Sequence, residues 1–414
     1  MKEITTKIFS LLVIVSLMVA CGLDESMEND IIGEIEEKSI INQDPILRDF
    51  LKNHSIENVK IDRWEDGYIL DNCLYVSDDE LLERSKIESP RHFGNERINQ
   101  AYTSFGLINT PGTSKRNITF RFATNFPSSG SGGEWKTAAL AAFQHFSNIR
   151  NIKLSFQETL NSNQDIILET FSGGGPIAAA NLPLNGAPGN RIRVNTSYNN
   201  SYNLNQKTAV MVHEIGHIIG LHHTDWQTPS ANPNNVPGIL INGTWNEDSY
   251  SIMNHIYNGQ PFNWFAWLDL LAIRNIYPLD LNEKPAYSYV HSTTLKWNWF
   301  STWQGYGFSN FQYHGVNGYV YLDQRPNTVP IYKFYSPGSD WYYTTLNPND
   351  VNFSWTSQGI LGYGFSQPGP GRIPIYEYYS PSMGFFFSTQ NPSQYAINYG
   401  FTLSRIAYYV LSLE

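Results

Sequence analysis

The sequence predicts two folded units in series: an α+β unit with a mixed sheet packed on helices, then an all-β unit of three repeats, β-trefoil-like. Three observations predict this. Residues 117–221 alternate between strand and helix periodicity. The tail matches itself at a shift of 44 residues. Of the 60 aromatic residues, 33 lie in 285–414, so composition changes where the periodicity does.

The N-terminus reads as an address. Lys2 and Lys7 precede an apolar run over residues 8–19, followed by Ala20 and Cys21. The run is too short to span a bilayer comfortably and has the shape of a secretory signal. Its ending, LMVAC, resembles a bacterial lipobox, which implies a lipoprotein signal peptide over 1–20 and a lipid on Cys21. The chain is then exported and held on the outer membrane or cell surface, with release on later processing. Residues 21–90 hold 19 acidic against 7 basic residues, although the whole chain carries only −10. The rest is therefore near neutral and offers no basic face for nucleic acid. Residues 21–110 form an acidic tether and a candidate pro-segment, within which a strand or hairpin runs into a helix capped near Ser77.

The α+β unit occupies 111–282. NITFRFA (117–123) alternates as a strand, and 132–149 places apolar residues at helical spacing. Residues 152–159 and 164–171 read as strands, and the Gly/Pro-rich stretch 172–195 holds two short extended runs. A helix over 207–221 begins near Asn205 or Thr208. Strand, helix, three strands and helix imply a mixed sheet against two helices.

That last helix carries the chemistry. Residues 212–226 read VHEIGHIIGLHHTDW, four of the chain's ten histidines. Positions i and i+4 of a helix share a face, so His213 and His217 can reach one ion. Glu214 then lies beside that ion, where a general base for water belongs. Gly220 can adopt a left-handed conformation cheaply and stop the helix. The turned chain brings His223 back as a third ligand and leaves His222 facing elsewhere. Three protein ligands with one position open describe a catalytic zinc site rather than a structural one.

The pattern H-E-x-x-H-x-x-G-x-x-H resembles the metzincin zinc endopeptidases, and SIMNHIY (251–257) supplies Met253 for their methionine turn. HEIGH, GLHHTD, SIMN and FAWLDLLAIRNIYP (265–278) together are similar to the dual-action HEIGH metallopeptidase family over roughly residues 100–280. The resemblance implies a metzincin-like α+β catalytic domain and one catalytic zinc. It also implies hydrolysis of peptide or protein substrates by a zinc-activated water, with Glu214 as base (the EC 3.4.24 class). GPIAAANLPL (175–184) resembles the edge strand that pairs with extended substrate. Where several metzincins have a tyrosine two residues after the turn methionine, this chain has His255, with Tyr257 two further on; either can serve the oxyanion. Asp225 can orient a neighbour of the site or close a surface turn. Within the candidate pro-segment, Cys73 or Asp71 can occupy the open metal position as a zymogen switch; otherwise Cys73 is a small buried apolar residue.

The all-β unit spans 285–414 as three repeats of about 44 residues. VPIYKFYSPGSDWYYTTLNP (329–348) matches IPIYEYYSPSMGFFFSTQNP (373–392), and WNWFST (297–302) marks an earlier copy. Aromatics between Gly, Pro and Ser turns predict short strands. Three such units favour threefold closure. Their aromatic rings either stack on glycans or fill the repeat cores. The alternative function is a surface binding or adhesive lipoprotein whose protease domain is vestigial; an intact ligand set together with Glu214 argues against such decay.

Overall fold

A computed structural model describes residues 41, 43–53, 56, 60–64, 66–70, 73–85, 101–103, 106–224, 238–241, 243–244, 248, 250–254, 260–291, 293–294, 296–300 and 311–413. The expected signal segment and Cys21 lie outside the described residues, as do Asp71, Asp225, His255 and Tyr257. Upstream come helix α1 (Pro45–Asn53), strands β1 (Ile61–Trp64), β2 (Gly67–Leu70) and β3 (Leu74–Ser77), and helix α2 (Asp78–Arg84). A short β4 (Ala101–Thr103) leads into β5 (Arg116–Phe122), α3 (Gly130–Asn148), β6 (Leu154–Glu158) and β7 (Ile166–Phe171). Then follow β8 (Ala178–Asn181), β9 (Arg191–Asn195), α4 (Leu204–Ile218), β10 (Gly238–Leu240) and α5 (Trp267–Ile276).

One sheet runs β1-β2-β3-β8-β9-β7-β5-β6. Its right half, β9-β7-β5-β6, is parallel, and β8 runs antiparallel to β9. Strands β5 to β9 and helices α3 and α4 fall close to where periodicity places them. The upstream strands were not expected in this sheet: β3 joins β8 in parallel, so the acidic segment extends the catalytic sheet rather than only tethering it. It brings its own core of Leu47, Phe50, Ile61, Leu70, Leu74 and Leu81. Ser77 caps α2 through a reciprocal capping box with Glu80. Buried Arg84 donates to the carbonyls of Leu182 and Pro183 at 2.7 and 3.1 Å, and Glu80 accepts from Asn181 at 2.6 Å.

The main core lies between the sheet and α3 and α4. Ala138, Ala139 and Ala142 bring α3 close, while Trp135, Phe143 and Phe146 fill the gap against Ile118, Phe120, Leu154 and Leu168. Each large apolar side chain so buried stabilises the fold by about 1.5–3 kcal/mol. Lys207, fully buried on α4, donates to Ser131 O, Asn199 O and Glu134 Oε2 at 2.6–2.9 Å. These bonds fasten the start of α4 to α3.

The C-terminal region is all antiparallel. It contains β11 (Glu283–His291), β12 (Trp297–Phe300), β13 (Phe311–Tyr321), β14 (Val329–Ser336), β15 (Trp341–Thr345), β16 (Thr356–Gly364), β17 (Arg372–Ser380), β18 (Gly384–Ser388) and β19 (Thr402–Leu411). Three successive groups each form a hairpin whose first strand also pairs with the group's third strand: β11 with β13, β14 with β16, β17 with β19. Ala286, Ile331 and Ile375, at corresponding places on β11, β14 and β17, meet in one core with Val320, Leu361 and Val410. Many of the aromatics, Tyr343, Phe387 and Tyr408 among them, are buried there.

The two regions are joined by a buried ionic cluster. Arg274 on α5 pairs with Glu283 on β11 and stacks 3.3 Å from the Tyr319 ring centroid. Arg150 reaches Glu283 Oε2 at 2.7 Å and Ser412 O at 2.8 Å, and Arg274 donates to Leu413 O at 3.0 Å. Glu283→Ala should lower the stability of the full chain by about 3–5 kcal/mol, because it leaves a buried guanidinium without its carboxylate. Urea unfolding reads this; a loss under about 1 kcal/mol would show that the carbonyls alone satisfy the arginines.

Candidate metal centre

Helix α4 begins at Asn203, earlier than expected, because Asn203 and Gln206 form a capping box, with bonds of 2.9 and 3.1 Å. It ends at Ile218 because Gly220 takes φ +99°. Gly220 N–H donates to His217 O and Leu221 N–H to Gly216 O, both at 2.9 Å. This is the double hydrogen bond of a glycine-terminated helix. Tyr277, buried at the end of α5, donates to Ile219 O at 2.5 Å and accepts from Ile108 N–H at 3.0 Å. The reversal it secures carries His223 back over the helix.

His213, His217 and His223 come together with Cys73, their donor atoms all within 4.8 Å of one another. The Nε2 atoms of His213 and His223 lie 3.0 and 3.2 Å from His217 Nε2, and Cys73 Sγ lies 3.1 Å from His223 Nε2 and 3.4 Å from that of His217. Two tautomers are set by the backbone. His213 Nδ1 faces Ile252 O at 2.7 Å, and His217 Nδ1 faces Leu221 O at 2.9 Å. Each Nδ1 therefore carries the proton, and each Nε2 presents a lone pair. Two lone pairs at 3.0 Å cannot hydrogen-bond each other; a cation between them makes the contact favourable. Burial, reinforced by neighbouring imidazoles, also holds the His217 pKa well below its ordinary value, so it stays neutral. Three imidazole nitrogens and one sulfur suit zinc, whose tetrahedral bonds of about 2.0–2.3 Å span donor separations of this size.

Glu214 is buried beside the three imidazoles, and its Oε2 has no hydrogen-bond partner among the described residues. Burial pushes its carboxyl well above the usual range, and a cation nearby would act in the opposite direction. His222 is buried but outside the donor group; its Nδ1 accepts the His223 main-chain N–H at 2.6 Å.

The floor of the site explains Gly216 and Asp269, for which the motifs name no role. Met253 is fully buried beneath the helix, and a Cβ on Gly216 would sit 2.3 Å from its sulfur. The central glycine of HEIGH is thus a contact requirement. The turn around Met253 hangs from buried Asp269 of α5, which accepts from Ser251 Oγ at 2.6 Å and Ile252 N–H at 3.0 Å. Ser251 Oγ in turn accepts from Met253 N–H at 3.0 Å, and Thr224 N–H donates to Met253 O at 3.0 Å. Asp269 lies within FAWLDLLAIRNIYP (265–278), yet the only signal of its role there is an acid at the third position of a helix otherwise apolar over its first two turns.

Gly216→Ala should destabilise the chain by about 1–3 kcal/mol through overpacking on Met253, outweighing the roughly 1 kcal/mol that alanine gains in helix propensity. It should also weaken zinc binding by displacing the helix from its floor. Thermal unfolding and zinc titration of the variant check this; wild-type values for both would mean that the methionine yields freely.

Residues 75–277 match the family model of the dual-action HEIGH metallo-peptidases. Residues 301–411 match a domain family of unknown function, DUF5648. Two solved structures of myroilysin are similar to the chain. One is 16% identical, covers 44% of this chain and 100% of its own, with a TM-score of 0.29. The other is 13% identical, covers 45% and 93%, with a TM-score of 0.28. Comparison with curated proteins finds no match. Residues 75–277, which hold the converging imidazoles and the glycine that fits Met253, are a metallopeptidase domain of the dual-action HEIGH family.

Proposed function

We propose that this chain is an exported zinc endopeptidase of metzincin type, in the EC 3.4.24 class, made in a latent form that its own upstream segment holds closed. One observation carries the latency: Cys73 Sγ stands at the three imidazoles while the strand after it pairs along β8. Ala180 N–H donates to Cys73 O at 3.0 Å, and β3 pairs Leu74 with Ala180 and Tyr75 with Asn181. These are the main-chain groups with which β8 would hold an extended substrate. The thiolate and the strand thus exclude water and peptide together, and Asp71 is a second candidate for the blocking role. Activation removes or displaces the segment upstream of residue 110. With a lipid on Cys21, that cut also releases the enzyme from the outer membrane or cell surface.

In the open form β8 orients the peptide. His213, His217 and His223 would hold zinc, which when bound would polarise the carbonyl and activate water. Glu214, held in place by the helix that carries His213 and His217, takes the water proton on its carboxylate and hands it to the leaving amine. His255 or Tyr257 lies in the chain where it could steady the oxyanion. The C-terminal region, read as a β-trefoil-like threefold repeat, serves as a targeting module for glycans. The recurrence of hairpin and third strand across β11–β19 supports that repeat.

Glu214→Gln should keep about one zinc per chain while casein hydrolysis by the activated enzyme falls on the order of 10²–10⁴-fold, the usual contribution of a general base. Loss of zinc together with activity would reassign Glu214 to holding the site. Cys73→Ser should raise casein hydrolysis by the intact chain about tenfold or more, since the competent fraction sets the observed rate. An unchanged rate in this variant, and again after proteolytic trimming of the upstream segment, would defeat the latency proposal.

A further inference from the structure

A cavity of about 400 Å³ lies where the first and third β groups meet α5, away from the metal centre. Its volume is in the range of small-molecule sites. Trp267, Trp297 and Tyr395 supply rings to its wall, and Asn317, Thr389 and Gln390 supply amides and a hydroxyl. No Asp, Glu, Lys or Arg is among the described lining residues. His314 adds an exposed imidazole whose pKa partial burial of the ring lowers.

Two buried polar atoms stand in this wall without a partner among the described residues: Trp297 Nε1 and the Tyr395 hydroxyl. Trp297 is 3% exposed and meets Tyr395 edge-on at 4.9 Å between centroids. Burial raises the Tyr395 hydroxyl and the Trp297 indole offsets part of that rise, although the two fall short of a hydrogen bond. An unpaired buried donor costs about 1–3 kcal/mol unless a ligand satisfies it. A purely apolar guest would leave both atoms orphaned, and an ion would find no opposite charge.

We propose that this cavity binds a neutral saccharide unit. The ligand's C–H face lies on the aromatic rings, and its hydroxyls pair with Trp297 Nε1, Tyr395 and the Asn317 amide. This rests on the targeting role proposed for the C-terminal region and names its site and the charge of its ligand.

The full-length Glu214→Gln chain, which cannot digest itself, should be titrated with N-acetylglucosamine, chitobiose and mannobiose, and with a sialylated trisaccharide as the acidic control. Tryptophan fluorescence is the readout, since two indoles line the cavity. At least one neutral sugar should bind saturably, with the sialylated probe at least tenfold weaker. Tyr395→Phe, which keeps the packed ring, and Asn317→Ala should each weaken binding tenfold or more while unfolding midpoints and, in the enzyme that retains Glu214, casein hydrolysis stay at wild type. Sugar binding that neither variant weakens would overturn the cavity but leave the targeting role standing. No binding of any probe, or a preference for the sialylated one, would overturn the proposal, and the former would remove the targeting role as well. Saturable binding of an unglycosylated peptide in place of sugar would overturn it too.

Discussion

The catalytic half is organised around imidazole nitrogens that cannot hydrogen-bond one another. Ile252 O and Leu221 O take the Nδ1 protons of His213 and His217, so two Nε2 lone pairs face each other at 3.0 Å, with a third nitrogen beside them. A cation between those two lone pairs makes their approach favourable. The surrounding devices hold the nitrogens in place. Helical spacing sets the first pair, the reversal at Gly220 returns the third, and Met253, hung from Asp269, stops the helix from moving down. The two accepting carbonyls come from the walls of the site itself: Ile252 belongs to the methionine turn and Leu221 to the helix exit. The same backbone that shapes the site therefore chooses the tautomers.

Strand β8, which would be an edge strand but for β3, is the second constraint. A strand with one side free presents unpaired main-chain groups and invites another strand. In this chain that partner is β3, locked by Arg84 on the Leu182 and Pro183 carbonyls and by Asn181 on Glu80. Because Cys73 immediately precedes β3, the pairing that covers the edge also delivers the sulfur to the metal centre. Main-chain pairing positions the thiol, so the upstream segment needs no pocket of its own within the cleft.

Much of this was legible in residue spacing, and the remainder was not for identifiable reasons. The i, i+4 histidines, Gly220 and Met253 sit at fixed offsets imposed by helix geometry and one tight turn, and such offsets survive in a linear sequence. Strands β5 to β9 showed because their burial alternates or runs continuously. The start of α4 was misplaced because Lys207, which reads as a polar first-turn residue, is buried on α3, while the cap lies four residues earlier at Asn203. The membership of β1 to β3 in the catalytic sheet left no local signal; those strands are four residues long in an acidic context, and their register with β8 is a non-local fact. The role of Asp269 was silent for the same reason, since its bonds to Ser251 and Ile252 span 18 and 17 residues without periodicity.

The C-terminal region also reaches the catalytic loop directly. Tyr313 on β13 donates to Gly243 O at 2.7 Å, and a Cβ on Gly243, held at φ +89°, would collide with Tyr287 of β11. Gly243 lies between His223 and Met253, on the segment that connects the third imidazole to the floor of the site. The same two strands carry Glu283 and Tyr319, which clasp Arg150 and Arg274 of the catalytic half. A buried charge cluster and a hydrogen-bonded loop on one face resist hinge motion far more than a polar linker would. Whatever the C-terminal region grips is thereby held at a fixed offset from the metal centre. Under the proposed targeting role, a target gripped there would be presented to Glu214 from one side only, without the β repeats touching the scissile bond.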